Sequence, residues 1–231
     1  MQVTENGGSA ACSMSADGKV MNDLAENDDQ KLDDLVREGD QQALAQLFDR
    51  NRARLRQIVA TRLDARLKGR IDPSDVLQEA FVDLAKRLPN FASRIEHMSI
   101  FVWMRLVATE RVLATHREHL AAKKRDARRE QKYRVNKNSA TSMCLAENML
   151  ANFSSPDDHI ARKELQRILM ETLDSMEHVD QEIILMRAFE DLSNAEAAES
   201  LGISPNGASN RYVRAMSRLH KELKSTPGFM D

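Results

Sequence analysis

The sequence predicts an all-α protein: two small helical domains joined by a flexible linker, the second a four-helix domain containing a helix-turn-helix. Three observations carry this. Aromatic residues are only 4% of the 231, with 8 Gly and 5 Pro, whereas strands favour β-branched and aromatic residues and need frequent turns. Apolar residues recur at three- and four-residue steps through most of the chain, the period of a helix face. Between 131 and 156 that pattern gives way to Asn, Ser, Thr and Lys and then Phe153-Ser-Ser-Pro156, which marks a linker and a domain boundary.

Taken in order, residues 1–29 form a tail. Its first 28 residues are rich in Gly, Ser, Asn and Asp, cannot bury enough surface to offset ordering entropy, and are expected to be disordered. Helical periodicity begins near Gln30, with Leu32, Leu35 and Val36 on one face. Gly39-Asp40 breaks the run, and Asp40 can cap a helix bearing Ala43, Leu44, Leu47 and Phe48, continuing through Leu55, Ile58, Val59, Leu63 and Leu67 to a C-terminal cap at Gly69. Its arginines (Arg50, Arg52, Arg54, Arg56, Arg62 and Arg66) read as a solvated face. Asp72 before Pro73 starts the next helix, which Pro89 stops. Val76, Ala80, Leu84 and Leu88 face inward there, beside an acidic and polar stripe of Asp75, Gln78, Glu79 and Asp83. Such a stripe is either solvated or a docking surface for a basic partner helix.

Residues 90–98 read as a loop, and Ser99 opens a helix that carries the single tryptophan, Trp103, then Arg105, Arg111, Thr115, Arg117 and the run Lys123-Lys124-Arg125. Trp103 suits the core or a platform for an unstacked base. Polybasic helices attract phosphates in a salt-dependent way. A short helix around Leu145–Leu150 is predicted within the linker. Ser155 or Asp157 then starts a helix holding Ile160, Leu165, Ile168, Leu169, Leu173 and Met176. Another begins near Val179, with Ile183, Ile184, Met186 and Phe189 inward.

Asn194–Arg214 is the most informative stretch. Ala198 is small enough to let a second helix cross close by. Gly202 suits a tight turn because a residue without Cβ tolerates positive φ. Ile203 pins the turn to the core, Ser204 can cap the next helix, and Pro205 fits its first position. On that helix Val213 and Met216 are predicted inward, and Asn206, Ser209, Asn210, Arg211 and Arg214 mostly outward. This is the pattern of a helix-turn-helix whose second helix enters a DNA major groove. The small residue, the glycine and the apolar turn residue all fall in place, which favours DNA binding over a plain αα-hairpin.

The formal net charge of −2 says nothing about partners, but its distribution does. Residues 1–30 hold six acids and one base, whereas residues 94–137 hold twelve Lys/Arg against five Asp/Glu, an acidic tail and a segment suited to a polyanion. Cys12 and Cys144 lie far apart with no metal-ligand spacing, which fits a reduced, cytoplasmic compartment. No apolar run approaches the roughly 20 residues that span a bilayer, and no secretory signal is visible at the N-terminus; no membrane association is expected. No nucleophile–base spacing, phosphate loop or cofactor motif is present. His116 and His119 sit three apart without a further ligand and read as ordinary exposed histidines, so no enzymatic activity, metal or cofactor is expected.

With these motifs in place, the chain resembles the extracytoplasmic-function (ECF) sigma factors of bacterial RNA polymerase, and its Asp72-Pro-Ser-Asp75 and Lys124-Arg-Asp-Ala-Arg-Arg-Glu130 strings resemble the planctomycete-type branch. Asp72–Phe81 resembles the polymerase-clamp-binding helix, Phe101–Arg117 with Lys124–Glu130 the promoter-melting and −10-reading segment, and Leu185–Leu219 the −35-reading domain. The resemblance implies a region-two-like domain at 30–130, a linker at 131–156, a region-four-like domain at 157–225 and a tail at 226–231. It further implies that Asp75, Gln78 and Glu79, supported by Phe81, meet core polymerase. Asn90–Ser99 would capture an extruded −10 base. Trp103, Arg105, Arg111, Thr115, Arg117, Lys123, Lys124 and Arg125 would track −10 DNA. Ser204, Asn206, Ser209, Asn210, Arg211 and Arg214 would meet the −35 duplex of promoter DNA. An anti-sigma factor is admitted as a further partner, although no residue identifies one. Glu110, Ala114, Ala208 and Ser209 depart from the family's usual residues; Glu110 on a DNA-facing helix is repulsive unless paired, with Arg111 or Arg117 the candidates. The alternative is a dimeric helix-turn-helix regulator acting without polymerase, for which the stripe at Asp75–Asp83 would have no task.

Overall fold

The computed structural model describes residues 28–91, 98–126, 137–151 and 159–224. Among these residues every regular element is a helix, as the composition predicts. In chain order they are α1 (residues 28–37), α2 (Gln41–Arg62), the single turn α3 (Ala65–Lys68), α4 (Pro73–Phe91), α5 (Ile100–Asp126), α6 (Lys137–Ala151), α7 (His159–Asp174), α8 (His178–Ala188), α9 (Asn194–Leu201) and α10 (Pro205–Lys224). Residues 1–27 of the expected disordered tail, Cys12 among them, and most of the expected base-capture loop lie outside the described residues, while Asp28 already belongs to α1. No helix among those described is long and apolar enough to cross a membrane.

The N-terminal helices assemble as the periodicity requires. Gly39 turns the chain at φ 93°, and the Asp40 carboxylate accepts the Gln42 and Ala43 amides at 2.6 and 3.1 Å to open α2. Asp72 does the same for α4 through the Ser74 amide at 2.7 Å. α2, α4 and α5 pack on one another around Leu44, Leu55, Ile58, Leu77, Leu84 and Met104, all fully buried. Two boundaries differ from expectation. α2 ends at Arg62; Leu63 is extended, and Asp64 caps the separate turn α3, whose Gly69 stays right-handed at φ −85°. Pro89 does not stop α4 but sits in its last turn. There the missing N–H removes one ladder bond, and the helix continues because Phe91 is buried against Trp103, ring centroids 4.0 Å apart.

The expected short helix in the linker is a 15-residue helix, α6, packed against α2, α7 and α8. Its reason is an apolar face that a polar composition conceals: Cys144, Leu145, Ala146 and Leu150 are all buried. Polar residues beside that face tie it down. The Cys144 thiol donates to the Arg62 carbonyl at 3.1 Å, Asn148 donates to the Thr61 carbonyl at 3.0 Å, and Glu147 accepts the Ala65 amide at 3.1 Å. Burial pushes the Cys144 thiol up to about 12, so it is a neutral packing group. α7–α10 form the C-terminal unit, with α10 against α7, α8 and α9. Gln181, fully buried, donates to the Leu173 carbonyl at 2.8 Å and so fixes the turn between α7 and α8.

If α6 belongs to the core rather than to a solvated connection, Leu145→Ala costs about 3 kcal/mol, the range for deleting a buried leucine side chain. Urea denaturation of the full chain measures it; a loss below about 1 kcal/mol would place Leu145 outside the core.

Candidate nucleic-acid interface

The helix-turn-helix is built by short-range chemistry. Ser193 and Glu196 form a reciprocal capping box at the start of α9, which satisfies two otherwise orphaned amides. Gly202 takes the left-handed conformation at φ 65°, ψ 34°, and the Ile203 amide returns to the Ala198 carbonyl at 3.0 Å. The Ser204 hydroxyl accepts the Gly207 amide at 3.1 Å and opens α10. Across the turn, Asn194 donates to the Pro205 carbonyl at 2.7 Å. Ala197, Ala198 and Ala208 are buried where the helices meet, so Ala208 lets α10 cross α9 closely.

α10 is predominantly cationic, with five Lys/Arg against Glu222 alone. Ser204, Asn206, Ser209, Asn210 and Arg214 are exposed, as expected. Arg211 is not free: it pairs with Glu177 at 3.1 Å and Asp180 at 2.7 Å at the start of α8, which raises its pKa. Its place is that of a brace for α10. Val213 reverses its prediction. It is 60% exposed, because Ala208, Ala215, Leu219 and Leu223 fill the buried face instead.

The stripe on α4 is open except at Asp83, which Arg111 binds. Asp75, Gln78 and Glu79 are exposed, and Phe81 packs its ring 4.8 Å from that of Phe48 beneath them. Sequence reasoning missed Val82, 49% exposed on this stripe; three residues after Glu79 and seven after Asp75, it holds the next place on the same face.

The predicted DNA-tracking face of α5 divides. Trp103 is buried in the stack with Phe91, Arg105 is 2% exposed, and Thr115 is buried; none of the three presents a surface to DNA in this arrangement. Trp103 is core because α4 extends far enough to cover it. Arg111 is bound to Asp83 and lies 3.5 Å from Glu79, and Arg117 is exposed. Glu110 is paired, but with Arg87 at 2.6 Å rather than with Arg111 or Arg117. Asp83, Arg87, Glu110, Arg111 and Arg117 line an open groove of ≈ 380 Å³ together with Leu113 and Ala114. Lys123 and Lys124 and Arg125 lie on α5, but their side chains are outside the described residues. His116 is buried rather than exposed: its Nε2 accepts the Asp64 amide at 3.1 Å, and burial lowers its pKa, so the ring is neutral.

Where Arg105 points is the largest departure from the sequence reading. Arg105 Nε donates to Glu190 at 2.8 Å, Arg62 Nε donates to the other oxygen of Glu190, and Arg62 also holds Glu182 at 2.8 Å. Thr141 of α6 donates to Glu182 at 2.7 Å. Burial would raise the Glu182 pKa, but Arg62 and Thr141 outweigh it and bring it down to about 2. Arg105, deeply buried and next to Arg62, has its pKa lowered by that burial. Arg54 grips Glu196 through two bonds of 2.6 and 2.7 Å and lies 3.9 Å over the Phe101 ring. Glu199 accepts the Ser99 amide. The N-terminal helices thus close onto α8 and α9 through charge pairs, leaving the outer face of α10 open.

Comparison with known proteins bears on the C-terminal unit. Residues 166–219 match the family "Sigma-70, region 4", a span from within α7 to within α10 that includes the whole helix-turn-helix. The similarity is to a sigma-70 region 4 domain and is confined to this segment. Among solved structures, CnrH in complex with the cytosolic domain of CnrY is similar at 23% identity over 85% of this chain and 97% of that one, with a TM-score of 0.46. No curated protein matches. The segment similar to region 4 includes most of α10 and its exposed face.

The buried pairs give a pH dependence with a definite sign. Glu182 has a folded pKa below its ordinary 4.5; its contribution is complete above that value and is lost as pH falls toward about 2. Wild-type stability in urea is expected to drop between about pH 5 and about pH 2, with Glu182 supplying on the order of 3 kcal/mol. Glu182→Gln should be less stable at neutral pH and should show a shallower acid loss. An unchanged acid profile would remove Glu182 from the linkage.

Proposed function

We propose that this chain is an ECF-type sigma factor that carries core RNA polymerase to specific promoters and helps to open them. The observation that carries the reading is the region 4 match at residues 166–219 with an exposed, cationic recognition helix at its end. On this reading residues 157–225 read the −35 duplex, residues 30–130 bind polymerase and engage the −10 region, and α6 lies in the segment between them. The chain works in the cytoplasm, beside polymerase, without catalysing a reaction of its own.

Three surfaces divide the work. Asp75, Gln78 and Glu79, with Val82 as an apolar centre, are suited to basic helices of the polymerase: charge steers the encounter, and a small apolar patch adds affinity once water is excluded. Arg117 and the run Lys123–Arg125 supply phosphate contacts on α5. Arg111 joins them when its pairs with Asp83 and Glu79 open. Trp103, Arg105 and Thr115 are buried and serve packing rather than DNA contact. Asn206, Ser209, Asn210 and Arg214 meet the duplex, with Ser204 at the turn. Amide side chains can bridge adenine edges and hydroxyls either partner, whereas arginine serves guanine or phosphate. An anti-sigma factor that covers these surfaces, and so keeps the chain from polymerase, is a further partner on this reading.

Run-off transcription with core polymerase, with and without the full chain, tests the proposal: stimulation is expected at its promoters, and no stimulation together with no core binding would sink it. Asp75→Lys combined with Glu79→Lys should abolish core binding while the circular dichroism spectrum and melting midpoint hold, since both side chains are exposed. Core binding that survives this reversal would move the docking face elsewhere.

A further inference from the structure

The outer face of α10 has a polar rim and an apolar centre. With 3.6 residues per turn, Val213 falls about 20° from Asn206, about 40° from Ser209 and about 60° from Asn210 around the helix axis. It stands about 140° from the buried Ala208. At 60% exposure it is the most exposed large hydrophobic side chain among the described residues. Single exposed apolar residues are common, but three observations separate this one. It occupies the middle of the face rather than its edge. Valine is β-branched and a poorer helix former than the long polar residues a solvated position would otherwise take. And the helix around it has one electrostatic character: from Pro205 to Lys221 no acidic residue occurs, while Arg214 and Lys221 flank the face, about 100° and about 80° from Val213. A basic or neutral protein partner would gain nothing from that field; a polyanion would.

In a major groove the one apolar feature of a base edge is the thymine C5-methyl group. We propose that Val213 is a specificity-determining residue that reads a thymine by packing against its methyl group, beside Asn206 and Asn210, which address neighbouring base edges. The inference rests on the region 4 domain reading duplex DNA through this face. Seven residues separate Asn206 from Val213, about two helical turns or about 10 Å, so the thymine is not the base pair that Asn206 meets. The recognition is purely subtractive: no hydrogen bond is made, and removing the methyl removes the contact.

Selection from random duplexes by the full-length chain at low salt, followed by replacement of each thymine in the selected duplex by deoxyuridine, isolates that methyl. For the wild type, one position should lose about fourfold in affinity on replacement, the transfer free energy of a methylene-sized group. Val213→Ala should bind the thymine duplex with a comparable loss and be indifferent to deoxyuridine there. Its fold is not at risk, because the side chain is exposed and alanine favours the helix. Indifference of the wild type at every thymine, or an undiminished deoxyuridine effect in Val213→Ala, overturns the assignment to Val213 while leaving duplex reading intact. Failure of the wild type to enrich any sequence removes duplex reading itself, and this proposal with it.

Discussion

Glu190 is the residue around which the molecule is held. Its carboxylate is fully buried and receives two guanidiniums, Arg62 from α2 and Arg105 from α5. Removing such charges from water is costly, and only close geometry with satisfied hydrogen bonds offsets the cost. That requirement makes the cluster specific: a shift of the segment after α8 that moved Glu190 away would leave Arg105 buried without its anion. The neighbouring segment is fixed in the same way. Arg187 donates to the Leu192 carbonyl, and Arg54 reaches both the Asp191 carbonyl and Glu196. Four arginines thus hold residues 190–196, which carry Asp191 at φ 55° and end in the capping box of α9. The helix-turn-helix starts from a segment clamped on one side by the N-terminal helices.

Clamping from inside leaves the outside free. Glu196 shows how closely the two are joined: one carboxylate accepts the Ser193 amide that begins α9 and the Arg54 guanidinium that docks it. Burial opposes the charge on Glu196, yet these bonds hold its pKa below the usual value. α9 is thereby spent on docking, and α10 alone presents Asn206, Ser209, Asn210 and Arg214 outward. On α4 the same economy of faces holds, with Val76, Ala80 and Leu84 inward and Asp75, Gln78 and Glu79 outward.

What the sequence disclosed and what it hid follow from range. The helix-turn-helix was legible because its determinants are local: the left-handed Gly202 and the Ser204 cap each act within four residues. The helical class and the acidic stripe were legible from periodicity. Arg54, Arg62 and Arg105 were misread as solvated or DNA-facing because their partners lie more than 80 residues away, and nothing local distinguishes a paired arginine from a free one. Trp103 was ambiguous because its cover, Phe91, lies beyond Pro89, where a helix was expected to have ended. α6 was underestimated because Ser142, Cys144 and Ala146 are small or weakly apolar yet fully or almost fully buried. Val213 is different, since its signal was present. Ala208 and Ala215 set the phase of the buried face, but a count of strongly hydrophobic residues undervalues alanine.

That undervalued alanine connects the packing to the reading surface. At the helix crossing, closeness matters more than apolar volume, so Ala197, Ala198 and Ala208 occupy the contact where larger side chains would separate α9 from α10. Larger apolar residues then have no place at the crossing, and one that does occur on α10, Val213, has to stand elsewhere on the cylinder. Its phase is dictated by the alanines: fixing Ala208 and Ala215 against α9 and the core sends residue 213 to solvent. The same constraint that brings the two helices together therefore decides which side chains face out, and it sets a lone methyl-bearing side chain among amides, hydroxyls and guanidiniums. Enlarging Ala208 would change both properties at once, by pushing α10 away from α9 and by rotating Asn206, Asn210 and Val213 relative to the clamped segment at Glu190.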